Sequence, residues 1–190
     1  VDELARTPAI LDAVEDLLGP DILLYTSRFF IKEAQSEGIA AWHQDSTYFG
    51  LRPHDHVTAW VALCDVTAES GPVEFAVGSH IRGQLQQKSG LVKNSVNTAG
   101  QIIVEWFDQS EIDRAILKPG QFSFHHTCVV HQSQPNRSDQ RRIGIALSYI
   151  PTRTRYVGKR RMPACLLRGK DEHGHFDLQP RPQVDFGEIE

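Results

Sequence analysis

The sequence holds only three cysteines in 190 residues, Cys64, Cys128 and Cys165. They are odd in number and no two lie close, so no disulfide framework and no thiolate zinc site can be read from them. That usage fits a reducing compartment, and a cytoplasmic location is expected. No run reaches the roughly 18 apolar residues that a membrane span needs. No basic-then-apolar leader opens the chain. There is no initiator Met either, so a trimmed or partial chain is expected. Basic residues are not in excess: 20 Lys and Arg stand against 24 Asp and Glu, a net charge of −4 with His neutral. A phosphate backbone wants a basic surface, so nucleic acid is not the expected partner. Internal repeats and low-complexity tracts are also missing.

What is present is an ordinary globular mixture, 40% apolar and 23% charged, too apolar for a disordered chain. The length suits one domain over residues 1–190, with a core at about 22–151 and a C-terminal extension over 152–190. One helix is signalled near the start. Thr7 can cap it, Pro8 suits its first turn, Leu11, Val14, Leu17 and Leu18 give an apolar stripe, and Gly19-Pro20 stops it. Beyond it the chain reads mostly as strands: 22–31, 57–64, 73–77, 102–106, 121–130 and 143–150. Short strands divided by turns predict a mainly β fold, a sandwich or barrel with the helix packed outside. Residues 82–115 are polar and less regular, either a lid or an ordinary loop.

Nine histidines raise the question of which share a metal. In AWHQDSTYFG, His43 and Asp45 project to one side of an extended segment while Gln44 points away. Such a pair can take two adjacent positions on one ion. The third ligand must come from His80, His125, His126 or His131. His131 is favoured because it ends an apolar strand and precedes another that opens with Arg141 and Arg142. In that next strand Arg142, Gly144, Ala146 and Ser148 share a small face, and Ile143, Ile145, Leu147 and Tyr149 a large one. The small face leaves a hollow with a guanidinium at its rim, suited to a small carboxylate. Two His and one carboxylate form the facial set of non-haem Fe(II), which leaves three open positions.

Residues 42–80 (WHQDSTYFGLRPHDHVTAWVALCDVTAESGPVEFAVGSH) and 131–151 (HQSQPNRSDQRRIGIALSYIP) resemble the phytanoyl-CoA dioxygenase family. The similarity runs from about Ile22 to Pro151, and LLRGKDEHGHFDLQPRP also looks like bacterial members. The resemblance implies a double-stranded β-helix (a jelly roll, cupin-like). It implies an oxygenase that uses Fe(II), dioxygen and 2-oxoglutarate, hydroxylating or otherwise oxidising a small organic substrate with release of succinate and CO2. His43, Asp45 and His131 are then the iron ligands. Arg142 pairs with the distal carboxylate of 2-oxoglutarate and Ser133 hydrogen-bonds it. Trp60 lies where the family has an aromatic beside the co-substrate, and Arg28 and Lys32 where it often has a polar contact. Asp45 stands where halogenating relatives have a small residue, so hydroxylation is expected rather than halogenation. The resemblance is to the family and not to one substrate. The chain also looks short at its N-terminus beside the family.

Other residues have competing readings. Tyr48, Phe49 and Arg52 follow the H-x-D directly and are candidates to line the substrate entrance; the alternative for Tyr48 and Phe49 is that they pack the loop. One of His125 and His126 alternates onto the pocket side, a possible substrate contact. His80 is expected to hydrogen-bond structurally, and His54, His56, His173 and His175 to be exposed. Trp42 and Trp106 are expected in the core or on a strand face. Arg153, Arg155, Lys159, Arg160 and Arg161 are either a solvated surface or a patch for an anionic group. Two rivals stand against the oxygenase: a metal-holding β-barrel sensor without turnover, and a cupin-type isomerase or hydrolase. Neither needs a carboxylate clamp.

Overall fold

The computed structural model describes residues 1–90, 92–96 and 101–183. A short helix α1 (Asp2–Ala5) precedes α2 (Pro8–Leu18). Pro8 lies in the first turn of α2, and Gly19 closes it at φ 91° with its N–H donating to the Glu15 carbonyl. Thr7 is the N-cap residue, but its hydroxyl donates back to the Glu3 carbonyl instead of capping. Ile10, Leu11, Val14 and Leu18 are buried, whereas Leu17 is 60% exposed. The stripe runs 10, 14, 18 by steps of four, which carries Leu17 to its edge.

The strands follow in order. They are β1 (Ile22–Lys32), β2 (Ala40–His43), then after helix α3 (Asp45–Phe49) β3 (Leu51–Arg52), β4 (Val57–Ala62) and β5 (Val73–Ala76). Next come β6 (Gln87–Ser89), β7 (Gln101–Ile103), β8 (Ile112–Arg114), β9 (Phe122–His126) and β10 (His131–Ser133). The last are β11 (Arg142–Pro151), β12 (Arg155–Tyr156), β13 (Pro163–Arg168) and β14 (Asp177–Leu178). A six-stranded sheet has the order β14-β13-β1-β11-β4-β9, and a four-stranded sheet the order β2-β10-β5-β8. Together they make the mainly β fold that the pattern predicts, in the jelly-roll form that the family resemblance implies.

Alternation along the large sheet sorts its two faces. Outward, Ile145, Leu147, Tyr149, Val57, Ala59 and Val61 pack with the buried stripe of α2. The helix therefore sits outside, as expected. Inward, the register aligns Thr26, Ser148, Thr58 and His125 in one row, and Arg28, Ala146 and Trp60 in the next. Lys32 lies opposite Arg142 at the far end. These inward residues line the cavity described below.

Several strands differ from the sequence expectation. The 121–130 run is broken after His126, because the chain must cross there from the large sheet to the small one. The turn is held by the Cys128 N–H donating to His126 Nδ1 at 3.1 Å and the Val129 N–H to the His126 carbonyl at 2.8 Å. The 102–106 strand shortens to β7, and Trp106 beyond it is 74% exposed rather than in the core. Within 82–115, β6 pairs with β7 and β8 joins the small sheet, while residues 91 and 97–100 of the expected lid or loop lie outside the described residues. Among the described residues no helix is long and apolar enough to cross a membrane.

Candidate active site

His43 is the last residue of β2 and His131 the first of β10, and the two are cross-strand partners. Gln44 between His43 and Asp45 is extended (φ −123°, ψ 140°). His43 and Asp45 therefore share a side, although Asp45 already begins α3. Gln44 points the other way and is fully buried. Its Nε2 donates to the Cys128 and Gly83 carbonyls (2.6 and 2.9 Å), and its Oε1 accepts from the Leu85 N–H (2.7 Å).

The donor atoms of His43, Asp45 and His131 all lie within 4.8 Å of one another. Asp45 Oδ1 is 3.8 Å from His43 Nε2 and 3.9 Å from His131 Nε2. Each ring's Nδ1 faces a backbone carbonyl, Ala41 at 2.7 Å and Val129 at 3.0 Å. With the proton held on Nδ1, both Nε2 lone pairs converge beside the carboxylate. This donor set fits a divalent cation of borderline softness.

The protonation states agree with that fit. Burial and the neighbouring His131 push His43 down to about 4. Burial likewise lowers His131, against the pull of Asp45. Burial alone would raise Asp45, but the surrounding imidazoles outweigh it and hold the carboxyl below the usual range. Near neutral pH the cluster is two neutral imidazoles and one carboxylate, which is the state a metal takes.

The cluster opens into a cavity of about 430 Å³ whose other end is cationic. Lys32 and Arg142 are each 3% exposed and both line it. Lys32 Nζ donates to the Ser133 and Gln134 carbonyls. Arg142 donates to the carbonyls of Gly71 (2.9 Å) and Phe30 (3.4 Å), while its Nε is buried with no partner among the described residues. Burial and Arg142 lower Lys32 to about 7, and burial lowers Arg142 to about 10. Glu74, which attracts Lys32, is already engaged by Arg114 (2.8 Å) and Gln132 (2.7 Å). Buried cations with no carboxylate of their own among the described residues fit an anionic ligand. Ser133 also lines this end, and the Trp60 ring lies 5.2 Å from the Arg142 guanidinium.

The small face of β11 is as expected except at Gly144. A Cβ there would come within 2.0 Å of the Trp60 ring, so the missing side chain makes room for Trp60 rather than for a ligand. Tyr48, Phe49, Arg28 and His125 line the cavity, and Arg28 donates to the Tyr48 hydroxyl at 3.3 Å. Arg52 is a correction. Its strand pairs with β12, and its side chain turns to the Leu51 carbonyl and Gln84 Oε1 rather than to the cavity wall. His56 is another, fully buried against Phe49 with ring centroids 4.9 Å apart. His80 is exposed. The structural hydrogen bonds of its turn belong to Ser79, whose hydroxyl accepts from the Val130 N–H and donates to the Ala76 carbonyl. Among the basic residues after 152, Arg153 pairs with Asp55 and Arg161 with Asp177, and none lines the cavity. Ser148 lines it as the small face of β11 predicts, and Thr26, Thr58 and Gln132 line it in addition to the expected residues. For Thr26 and Thr58, alternation with Arg28 and Trp60 is the signal that the sequence carries.

A family model described as phytanoyl-CoA dioxygenase matches residues 1–144. L-proline trans-4-hydroxylase of Streptomyces griseoviridis is 26% identical over 170 residues, covering 77% of this chain and 61% of that protein. Among solved structures, the apo form of the non-heme monooxygenase ThoJ superposes with a TM-score of 0.86 at 37% identity, covering 98% of this chain and 67% of the other. The epimerase SnoN in complex with Fe3+, alpha-ketoglutarate and nogalamycin RO gives a TM-score of 0.65 at 25% identity, covering 81% of this chain and 59% of the other. The chain thus spans only part of each relative's length.

Proposed function

The chain belongs to the phytanoyl-CoA dioxygenase family, and from that premise we propose that it is an Fe(II)- and 2-oxoglutarate-dependent oxygenase that hydroxylates or otherwise oxidises a small organic molecule. The observation that carries this reading is the polarity of one cavity. Three converging metal donors stand at one end and, at the other, two buried cations that pair with no carboxylate among the described residues. A metal-holding sensor has use for the first end only. A cupin-type isomerase or hydrolase has no need of the second.

In this reading His43, Asp45 and His131 hold the iron. Bound there with dioxygen and 2-oxoglutarate, the metal supplies the oxidising power, and the co-substrate leaves as succinate and CO2. Arg142 and Ser133 hold the distal carboxylate. Lys32 adds positive charge beside it. Trp60 walls that end and keeps water out. Tyr48 and Phe49, at the α3 end, orient the substrate over the metal, and Arg28, which donates to the Tyr48 hydroxyl, stands with them rather than in the co-substrate contact that the resemblance implies. An anaerobic titration with Fe(II) and 2-oxoglutarate tests the reading. The expected result is a weak visible metal-to-ligand charge-transfer band, followed by succinate release in a substrate screen. No band at saturating concentrations of both would overturn it.

A further inference from the structure

Asp45 shows its two carboxylate oxygens to different partners. Oδ1 faces the Nε2 atoms of His43 and His131, whereas Oδ2 faces His125 Nε2 at 3.6 Å. His125 is 7% exposed. It sits opposite Thr58 on the inward face of β9. Its ring is packed between Phe75 and His131, with centroids 5.3 and 4.8 Å away. A ring so enclosed has little room to swing aside. Its Nδ1 is buried with no hydrogen-bond partner among the described residues. No acceptor there draws the proton to Nδ1, so the carboxylate facing Nε2 decides the tautomer.

We propose that His125 is a positioning residue: in the metal-loaded protein it donates Nε2–H to Asp45 Oδ2 and so presents Oδ1 alone to the ion. The inference rests on reading His43, Asp45 and His131 as the metal ligands. A carboxylate can bind a cation through one oxygen or through two. Two would occupy one of the positions that a facial set leaves open for co-substrate and dioxygen. Tying Oδ2 to an imidazole keeps that position free and fixes the ligand's orientation. Partners of this kind typically change metal affinity by about 10- to 100-fold when removed.

Anaerobic Co(II) titrations followed by visible absorption, on the unaltered protein and on His125→Gln and His125→Phe, test this. Gln keeps a donor near Oδ2, and Phe keeps the ring while removing the donor. The expected result is Co(II) binding weakened about 10- to 100-fold in His125→Phe, with an altered d–d band. His125→Gln should stay close to the unaltered protein, and the metal-free melting temperatures should be similar. His125→Leu takes the place of the Phe variant should the latter fail to fold. Unchanged affinity and band in the donorless variant would overturn the proposal. So would an equal loss in both variants, as severe as in His43→Ala, because His125 would then be a ligand itself. Failure of the unaltered protein to bind Co(II) at all would instead remove the ligand set on which the proposal rests.

Discussion

His43 and His131 face each other across the β2–β10 pair, with ring centroids 4.1 Å apart. Two residues far apart in sequence are thus brought to one point by strand register. A slip of one residue would turn the neighbouring side chain toward the metal in place of the ligand. The register is set by backbone pairing, with Gln44 bonded to the Cys128, Gly83 and Leu85 backbone behind it.

Removing a ligand should therefore spare the fold and lose the metal. Asp45→Gly is expected to abolish oxidation outright, since it takes away one of three protein ligands and the only carboxylate among them. Thermal unfolding checks this without a substrate. Metal at a hundredfold excess over its dissociation constant stabilises by about 2.7 kcal/mol. The unaltered protein should show the corresponding rise in melting temperature. Asp45→Gly, His43→Ala and His131→Ala should show none. A metal-dependent rise retained by any of the three would count against the ligand assignment.

Arg142 and Arg141 make an internal comparison. Arg142 lines the cavity and its buried Nε has no partner among the described residues, while Arg141 is exposed and pairs with Glu33. A hydrogen bond to a charged group contributes roughly 1.5–3 kcal/mol, or about one to two decades in affinity. Arg142→Ala should weaken 2-oxoglutarate binding by that much, and Arg142→Lys by less, because the charge stays and the planar fork is lost. Arg141→Ala should change nothing. Iron binding should be unaffected in all three. Calorimetric titration with 2-oxoglutarate reads the difference, and the reverse pattern would refute the pocket assignment.

Much of this was legible in the sequence because it depends on alternation. His43 and Asp45 share a side because Gln44 is extended, and Arg142, Ala146 and Ser148 face the cavity because β11 runs unbroken. The misses share a different cause. Leu17, His56, Arg52 and Trp106 owe their exposure or direction to how separate elements meet, and no local period records that. The break after His126 is of the same kind. A run that reads as one strand spans two sheets, and only the second sheet makes the turn necessary. The link between Gly144 and Trp60 lies between adjacent strands and needed the β4–β11 register, which neither strand alone contains.

Lys32 should make co-substrate binding depend on pH. Burial and Arg142 bring its amine down to about 7, so near neutrality it is divided between charged and neutral forms. A carboxylate binds the protonated form better. Affinity for 2-oxoglutarate should therefore fall as pH rises through about 7 and recover on acidification, until protonation of the metal-site histidines intervenes. Lys32→Met should bind more weakly and flatten the dependence. Titrations in the presence of a redox-inert divalent ion measure it across that window. A profile in the unaltered protein that is flat, or of opposite slope, would contradict the role given to Lys32.

Gly144→Ala tests whether the cavity wall is built from the backbone outward. Gly144 lies opposite Ala62 on the neighbouring strand, and its added methyl would fall 2.0 Å from Trp60 Cζ2 and 2.3 Å from Cη2. Real carbon atoms do not approach so closely, so the indole must move. Trp60 is 3% exposed and packs with Val66, Val73 and Ala115, which leaves it few directions other than the cavity. Overpacking of a filled core typically costs about 1–3 kcal/mol. The variant should melt at a lower temperature, with altered indole fluorescence. It should bind 2-oxoglutarate less tightly, because the displaced ring stands beside Arg142. Metal binding should be retained, since the ligands come from β2, α3 and β10 and not from this strand. Adding Trp60→Phe should relieve the clash and restore part of the stability. Loss of stability with 2-oxoglutarate affinity intact would mean that the ring yields away from the cavity, and that Trp60 is packing rather than a wall of the co-substrate site.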